Sequence, residues 1–147
     1  MTAAFCWPVR VYYEDTDAGG IVYYANYLKF LERARTEWLR AAGIAQQRLA
    51  EETRRVFVVR QAAIDYHAPA KLDDQLEITL DVEKLGRASV EFLQQIWLAA
   101  DDGSDRRLLC SGRIRIGCVD ADTMRPAAMP DTVSASLRNS MKQIAGE

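Results

Sequence analysis

Hydrophobic and polar residues follow two rhythms along this chain. From 76 to 83 the period is two, with Leu76, Ile78, Leu80 and Val82 on one side against Glu77, Thr79, Asp81 and Glu83 on the other. That alternation predicts a strand with one buried face. From 27 to 41 the period is helical, with Tyr27, Leu31, Ala34, Trp38 and Ala41 in one stripe, Asn26 placed as N-cap and Gly43 as the stop. Leu28, Phe30 and Leu39 widen the stripe, so most of this helix calls for cover by other structure. Tyr27 and Trp38 are expected in the core.

The remaining segments read in the same way. Val9 to Glu14 suits a strand, which the Gly19-Gly20 pair ends in a loop. A short helix is expected over Ala45 to Glu52, then a strand from Val56 to Ala68 stopped by Pro69. Leu85-Gly86-Arg87 turns the chain into Val90 to Leu98, and Asp102-Gly103 turns it again. In the last strand Leu108, Cys110, Ile114, Ile116 and Cys118 alternate, with Arg113 and Arg115 on the opposite face. Past Pro126 and Pro130, Asp131 caps a terminal helix striped by Val133, Leu137, Met141 and Ile144. The order predicts one α+β domain over residues 1–147: a five-stranded antiparallel sheet curled around one long helix, with a C-terminal helix. So small a sheet leaves an open edge, which predicts a homo-oligomer, dimer or tetramer.

Composition narrows the class. At 147 residues, 49% hydrophobic and 27% charged, the chain is a packed globule. A net charge of −2 supplies no cationic field to draw nucleic acid. No stretch approaches the roughly 18 apolar residues of a membrane span, and Met1 to Pro8 lacks a basic region followed by an apolar one, so a cytoplasmic location is expected. Cys6, Cys110 and Cys118 have no Cys-x-x-Cys spacing, which predicts inert thiols and neither a disulfide framework nor a zinc site.

The chemistry concentrates between Tyr12 and Tyr27, where Glu14, Asp15 and Asp17 precede Gly19-Gly20 and the central helix. Glycines let backbone approach a ligand closely, and the first turn of a helix presents unpaired N–H groups with partial positive charge. A carboxylate beside such donors can attack a carbonyl, or activate water to do so, while the N–H groups stabilise the oxyanion. The same residues equally suit Asx turns at a helix entrance. His67, the only histidine, shares a strand face with Asp65 and Gln61 and reads as structural, and one histidine argues against zinc. Glu32, Arg33, Arg35 and Glu37 are spaced for i,i+3 and i,i+4 pairing along the helix.

Tyr13 to Tyr27 resembles the signature of hotdog-fold acyl-CoA thioesterases of the 4-hydroxybenzoyl-CoA thioesterase group. Trp7 to Gly20, Glu32-Arg33-Ala34-Arg35-Thr36-Glu37, Phe57-Val58-Val59-Arg60 and Tyr66 to Asp74 are similar to the branch associated with the Tol-Pal envelope system. The resemblance implies a hotdog fold whose subunits pair their sheets, and an enzyme cleaving acyl-CoA to a carboxylic acid and coenzyme A. It needs no cofactor, coenzyme A being part of the substrate. It implies Asp17 as the catalytic carboxylate, a backbone N–H near Tyr24 as oxyanion donor, and substrate contacts from Gly20, Ile21, Val22 and Tyr23. Val58 and Val59 are candidates for the acyl slot and equally for ordinary core, and Arg87 and Arg113 are candidates for the coenzyme A phosphates or for a solvated strand face balancing Glu77, Glu83 and Glu91. Many members of the branch carry histidine where this chain has Tyr24, so no imidazole role carries over. The other reading is a module binding acyl groups or acyl carrier protein beside inner-membrane lipid-synthesis enzymes. A dehydratase of this fold would need a histidine in the loop before the helix, which this chain lacks.

Overall fold

The computed structural model describes residues 5–100 and 105–145. Its elements are β1 (Phe5–Arg10), α1 (Asn26–Ala41), α2 (Gln46–Thr53), β2 (Arg55–Tyr66), β3 (Gln75–Leu85), β4 (Ser89–Leu98), β5 (Arg107–Asp120) and α3 (Asp131–Ala145), with a 3-10 turn at Tyr13–Asp15. The five strands form one antiparallel sheet in the order β1-β3-β4-β5-β2. The α+β architecture expected from the sequence is the one found.

The period-two pattern builds the concave face. Leu76, Ile78 and Leu80 of β3, Phe92 and Ile96 of β4, and Cys110 and Ile114 of β5 are buried, while Glu77, Asp81, Arg113 and Arg115 lie on the other side. Across the concave face α1 lays Tyr27, Phe30, Leu31, Ala34 and Trp38, all buried. The Trp38 ring meets Phe92 edge-on at 6.1 Å. Burying one such side chain contributes about 1.5–3 kcal/mol, so this layer is the main source of stability. One polar strut crosses it: Gln94, fully buried, donates from Nε2 to the Leu31 carbonyl at 3.0 Å. Gly43 ends α1 at φ +85°, a value glycine tolerates best.

Several expectations are corrected. The first strand lies at Phe5–Arg10, because residues 13–15 coil into the 3-10 turn, whose Asp15 carboxylate accepts from the Tyr12 N–H at 2.9 Å. Asn26 is the first helical residue and caps nothing; its Nδ2 donates instead to the Asp15 carbonyl at 2.9 Å. Leu28 is 42% exposed, so α1 is covered on fewer sides than its apolar stripe suggested. In β5 both Leu109 and Cys110 are buried beside a register shift at Ile96/Trp97, which interrupts the alternation. Asp131 sits in the first turn of α3, as a charge favouring the helix N-terminus. Glu37 pairs with Arg40 at 2.6 Å, while Arg35 turns inward to Gln94. The Asp102-Gly103 turn, the first four residues and the Ile144 side chain lie outside the described residues.

Among the described residues β2 bonds only to β5, leaving its other edge free. Val59 is 55% exposed, Arg60 to Ala63 are exposed, and so are Asp65 and Tyr66. A bulge between Val59 and Gln61 takes Arg60 out of register, and its aliphatic stem lies over Gly117, where a Cβ would sit 2.7 Å from Arg60 Cδ.

The loop after β2 hangs from the buried Tyr27 hydroxyl, which accepts from the Ala70 N–H at 3.0 Å. Tyr27→Phe strands that N–H in a fully buried position, and chemical denaturation is expected to show a loss of about 1–3 kcal/mol.

Candidate active site

The loop from Tyr12 to Ala25 is laced by its own backbone. Asp17 N–H donates to the Ile21 carbonyl at 2.9 Å and Tyr23 N–H to the Asp15 carbonyl at 3.0 Å, closing a small antiparallel bridge. Val22 N–H donates to Ala70 at 2.9 Å, and Ile21 bridges Lys71, which fastens the loop to the segment following β2. Val22 is buried, so its side chain pins the centre of the loop while Ile21 and Tyr23 remain partly exposed on either side.

Asp17 stands at the head of this bridge. Its Oδ1 accepts from the Gly19 N–H at 2.8 Å and its carbonyl from the Gly20 N–H at 3.0 Å. The Asx turn anticipated as the purely structural role is therefore formed, and it uses one carboxylate oxygen. Among the described residues Oδ2 has no partner, and Asp17 is exposed. Gly20 adopts φ +79° to close the turn, and a Cβ on Gly19 would sit 3.2 Å from Asp17 Oδ1.

At the other end of the loop, Tyr24 and Ala25 form the turn into α1. Among the described residues neither of their N–H groups has an acceptor, whereas the Tyr24 carbonyl accepts from Tyr27 N–H at 3.3 Å. Orphan donors at a helix start carry partial positive charge. Aromatic rings surround them: Tyr24 meets Tyr23 at 5.0 Å and Tyr66 edge-on at 6.3 Å, and Tyr66 meets Tyr27 at 5.5 Å. Burial pushes the Tyr27 and Tyr66 phenols above the usual tyrosine range, so both stay neutral at physiological pH; the Tyr27 hydroxyl accepts from the Ala70 N–H, and the Tyr66 hydroxyl donates to the Tyr24 carbonyl at 3.4 Å.

The other sequence candidates fall elsewhere. Val59 and Tyr66 are seven residues apart on one strand, about 23 Å at roughly 3.3 Å per residue. Within one chain neither Val58 nor Val59 reaches the Tyr24 loop. They also face opposite ways: Val59 lines a cavity of about 220 Å³ between α1, α3 and the sheet, and Val58 lines a shallow groove of about 310 Å³ on the outer face. Arg87 lies in the β3–β4 turn, next to Ala88 and Ser89, which edge that groove with Arg60. Arg113 donates from Nε to Glu83 at 2.9 Å and stays on the outer face. His67 is exposed just past β2, with Nε2 3.4 Å from Ser111 Oγ. Cys110 is buried and its thiol pushed up to about 12, chiefly by burial, so it is no nucleophile. Among the described residues no cluster of three or more metal-ligating side chains forms, and no helix is long and apolar enough to cross a membrane.

Arg35 is the residue sequence reasoning misplaced. Helical spacing made it one of a surface pair, yet it is half-buried at the 220 Å³ cavity and donates to Gln94 Oε1 at 2.8 Å. No local signal gives this away, because its partner lies 59 residues along the chain.

Residues 11–137 match the family model described as the thioesterase-like superfamily. The acyl-CoA thioester hydrolase YbgC of Escherichia coli is 46% identical over 93% of this chain and 98% of its own length. The acyl-CoA thioesterase YbgC of Haemophilus influenzae is 44% identical over 92% and 95%. Among solved structures, a probable thioesterase from Bartonella henselae superposes with a TM-score of 0.78 at 32% identity, covering 87% of this chain and all of that one. The chain belongs to the thioesterase-like superfamily, with the hotdog fold.

The turn after Asp17 depends on Gly20, since other residues enter its left-handed conformation at a cost of roughly 1–2 kcal/mol. Gly20→Ala is expected to lower stability by about that amount in urea titrations, although nothing lies within 4 Å of the added Cβ.

Proposed function

We propose that the protein hydrolyses acyl-CoA thioesters to a carboxylic acid and free coenzyme A, with Asp17 as nucleophile or general base and the Tyr24 N–H as oxyanion donor. One observation carries the reading. A carboxylate with a free oxygen and an unpartnered backbone donor sit at the two ends of one laced loop, at the mouth of the central helix. The names of the related proteins from Escherichia coli and Haemophilus influenzae support the substrate class.

Both routes balance with the chain's own groups. As nucleophile, Asp17 Oδ2 bonds to the thioester carbon, the C–S bond breaks, and the thiolate leaves as coenzyme A; water then cleaves the mixed anhydride. As base, Asp17 takes a proton from water as its oxygen adds to the carbon, and returns that proton to the departing sulfur. In either case negative charge collects on the carbonyl oxygen, where a donor such as Tyr24 N–H contributes roughly 3 kcal/mol. Gly20, Ile21, Val22 and Tyr23 hold the path between the two.

The site is completed in this proposal by a second copy of the chain. The free edge of β2 is a long row of unpaired backbone groups without proline or lysine, a surface proteins do not leave open. A two-fold axis near Ala62 and Ala63, at the middle of the exposed stretch, sets Val59 of one copy beside Tyr66 of the other. Val59 and its cavity then adjoin the other copy's Tyr24 loop, which resolves the 23 Å separation within one chain. Arg60, which lines the outer groove, and Arg87, which precedes the lining residue Ala88, suit the phosphates of coenzyme A better than Arg113, which Glu83 occupies. The expected cytoplasmic setting, the Tol-Pal association and an acyl carrier protein partner rest on motif resemblance alone and attach to the same proposal.

Asp17→Asn keeps an acceptor for the Gly19 N–H while removing the charge, so folding is expected to survive and coenzyme A release to fall by about 10²–10⁴-fold; equal rates would remove Asp17 from the mechanism. Light scattering is expected to show at least a dimer, and Ala62→Pro, placed on the free edge, to shift it toward monomer with loss of activity. An active monomer would contradict a shared site.

A further inference from the structure

The 220 Å³ cavity between α1, α3 and the sheet has one feature that packing alone does not account for. Its walls are largely apolar, including Phe57, Val59, Phe92 and Leu137, yet the Arg35 guanidinium opens onto it. Arginine carries five N–H donors, and Arg35 uses one of them, on Gln94 Oε1 at 2.8 Å. Gln94 is fully buried, and its amide is fixed in turn by the Leu31 carbonyl at 3.0 Å. The guanidinium is thus held in one orientation by a core residue. Among the described residues no carboxylate forms an ion pair with it. Glu32, one turn away and exposed, also lines the cavity and acts on Arg35 through its charge without pairing with it. A half-buried, under-partnered cation beside apolar walls is costly, and replacing it with hydrocarbon would cost the fold little. Its presence, with a buried amide to aim it, fits a receptor.

We propose that this cavity binds a carboxylate carried on a short apolar chain, with Arg35 as its anchor and Gln94 as the positioning residue. A guanidinium matches a carboxylate in a two-point, charge-assisted contact, and the apolar walls take the hydrocarbon. The volume lies below the roughly 300 Å³ at which ordinary ligand pockets begin, which selects a short or medium chain. Burial lowers the Arg35 pKa, and the charge of an arriving anion would offset that desolvation. Neither Asp17 nor Tyr24 of the same chain lines the cavity, so binding of a free carboxylate can be measured without turnover; the inference rests on the reading above, which sets Val59 and this cavity beside a second copy's Tyr24 loop. Two sources supply such a ligand: a free fatty acid, as a hydrolase of acyl thioesters would release, or the far end of an acyl group that itself carries a terminal carboxylate.

Calorimetric titration of the intact protein with octanoate, and with octanol as the uncharged comparator, tests the site without any turnover. Octanoate is expected to bind saturably and octanol much more weakly. Arg35→Gln is expected to weaken octanoate at least about tenfold, and Arg35→Lys to recover part of it. Leu137→Phe, which enlarges a side chain on the α3 wall of the cavity, should also weaken it, each variant being checked for retained folding by its melting profile. Comparing KM for octanoyl-CoA and suberyl-CoA then separates the sources: a preference for suberyl-CoA that Arg35→Gln abolishes assigns the carboxylate to the substrate, and equal values assign it to the free acid. Octanoate and octanol binding alike, or octanoate binding indifferent to Arg35→Gln, overturns the proposal. Failure of Asp17→Asn to change hydrolysis would leave the octanoate result standing.

Discussion

The small antiparallel bridge that ties Asp15 and Asp17 to Ile21 and Tyr23 is the constraint on which the site depends. Two hydrogen bonds of about 3 Å fix the loop's width, and the Val22 to Ala70 bond fixes its height above the core. With those bonds made, the Asp17 carboxylate and the Tyr24 N–H are left at opposite ends of a rigid strap. A loop free to collapse would satisfy those two groups with each other or with neighbouring carbonyls, and no polar pair would remain for a substrate. The lacing in turn requires the core: Ala70 is positioned by the Tyr27 hydroxyl, and Tyr27 by its place in the buried stripe of α1.

The hydrophobic layer therefore does more than hold the sheet to the helix. It delivers the start of α1, with its orphan donors, to the surface at the Tyr66 end of β2. It also leaves the opposite end of the same strand lining a cavity. The free strand edge between these ends is the geometric link, because antiparallel pairing across a two-fold brings opposite ends of equivalent strands together. A site divided as proposed would make folding, assembly and chemistry parts of one problem.

What the sequence revealed follows physical range. The alternation of Leu76 to Glu83 and the stripe from Tyr27 to Trp38 were legible because burial imposes a period on every residue of an element. Gly43 was legible as a stop, since a positive φ there favours glycine. The first strand was misplaced because the aromatic residues around Tyr13 have strand propensity, while one carboxylate, that of Asp15, closes the turn instead. Arg35 was misread because i,i+3 spacing is a local rule and Gln94 is a distant partner. Val58 and Val59 were assigned together, although adjacent strand residues face opposite sides.

A crystal structure of the protein with a non-hydrolysable thioether analogue of an acyl-CoA tests the central claim most directly. The account predicts the analogue's carbonyl oxygen about 3 Å from the Tyr24 nitrogen, its reacting carbon beside Asp17 Oδ2, and its acyl group against Val59 of a second copy. A ligand whose carbonyl lies away from residue 24, or one seated entirely within a single chain, would contradict it.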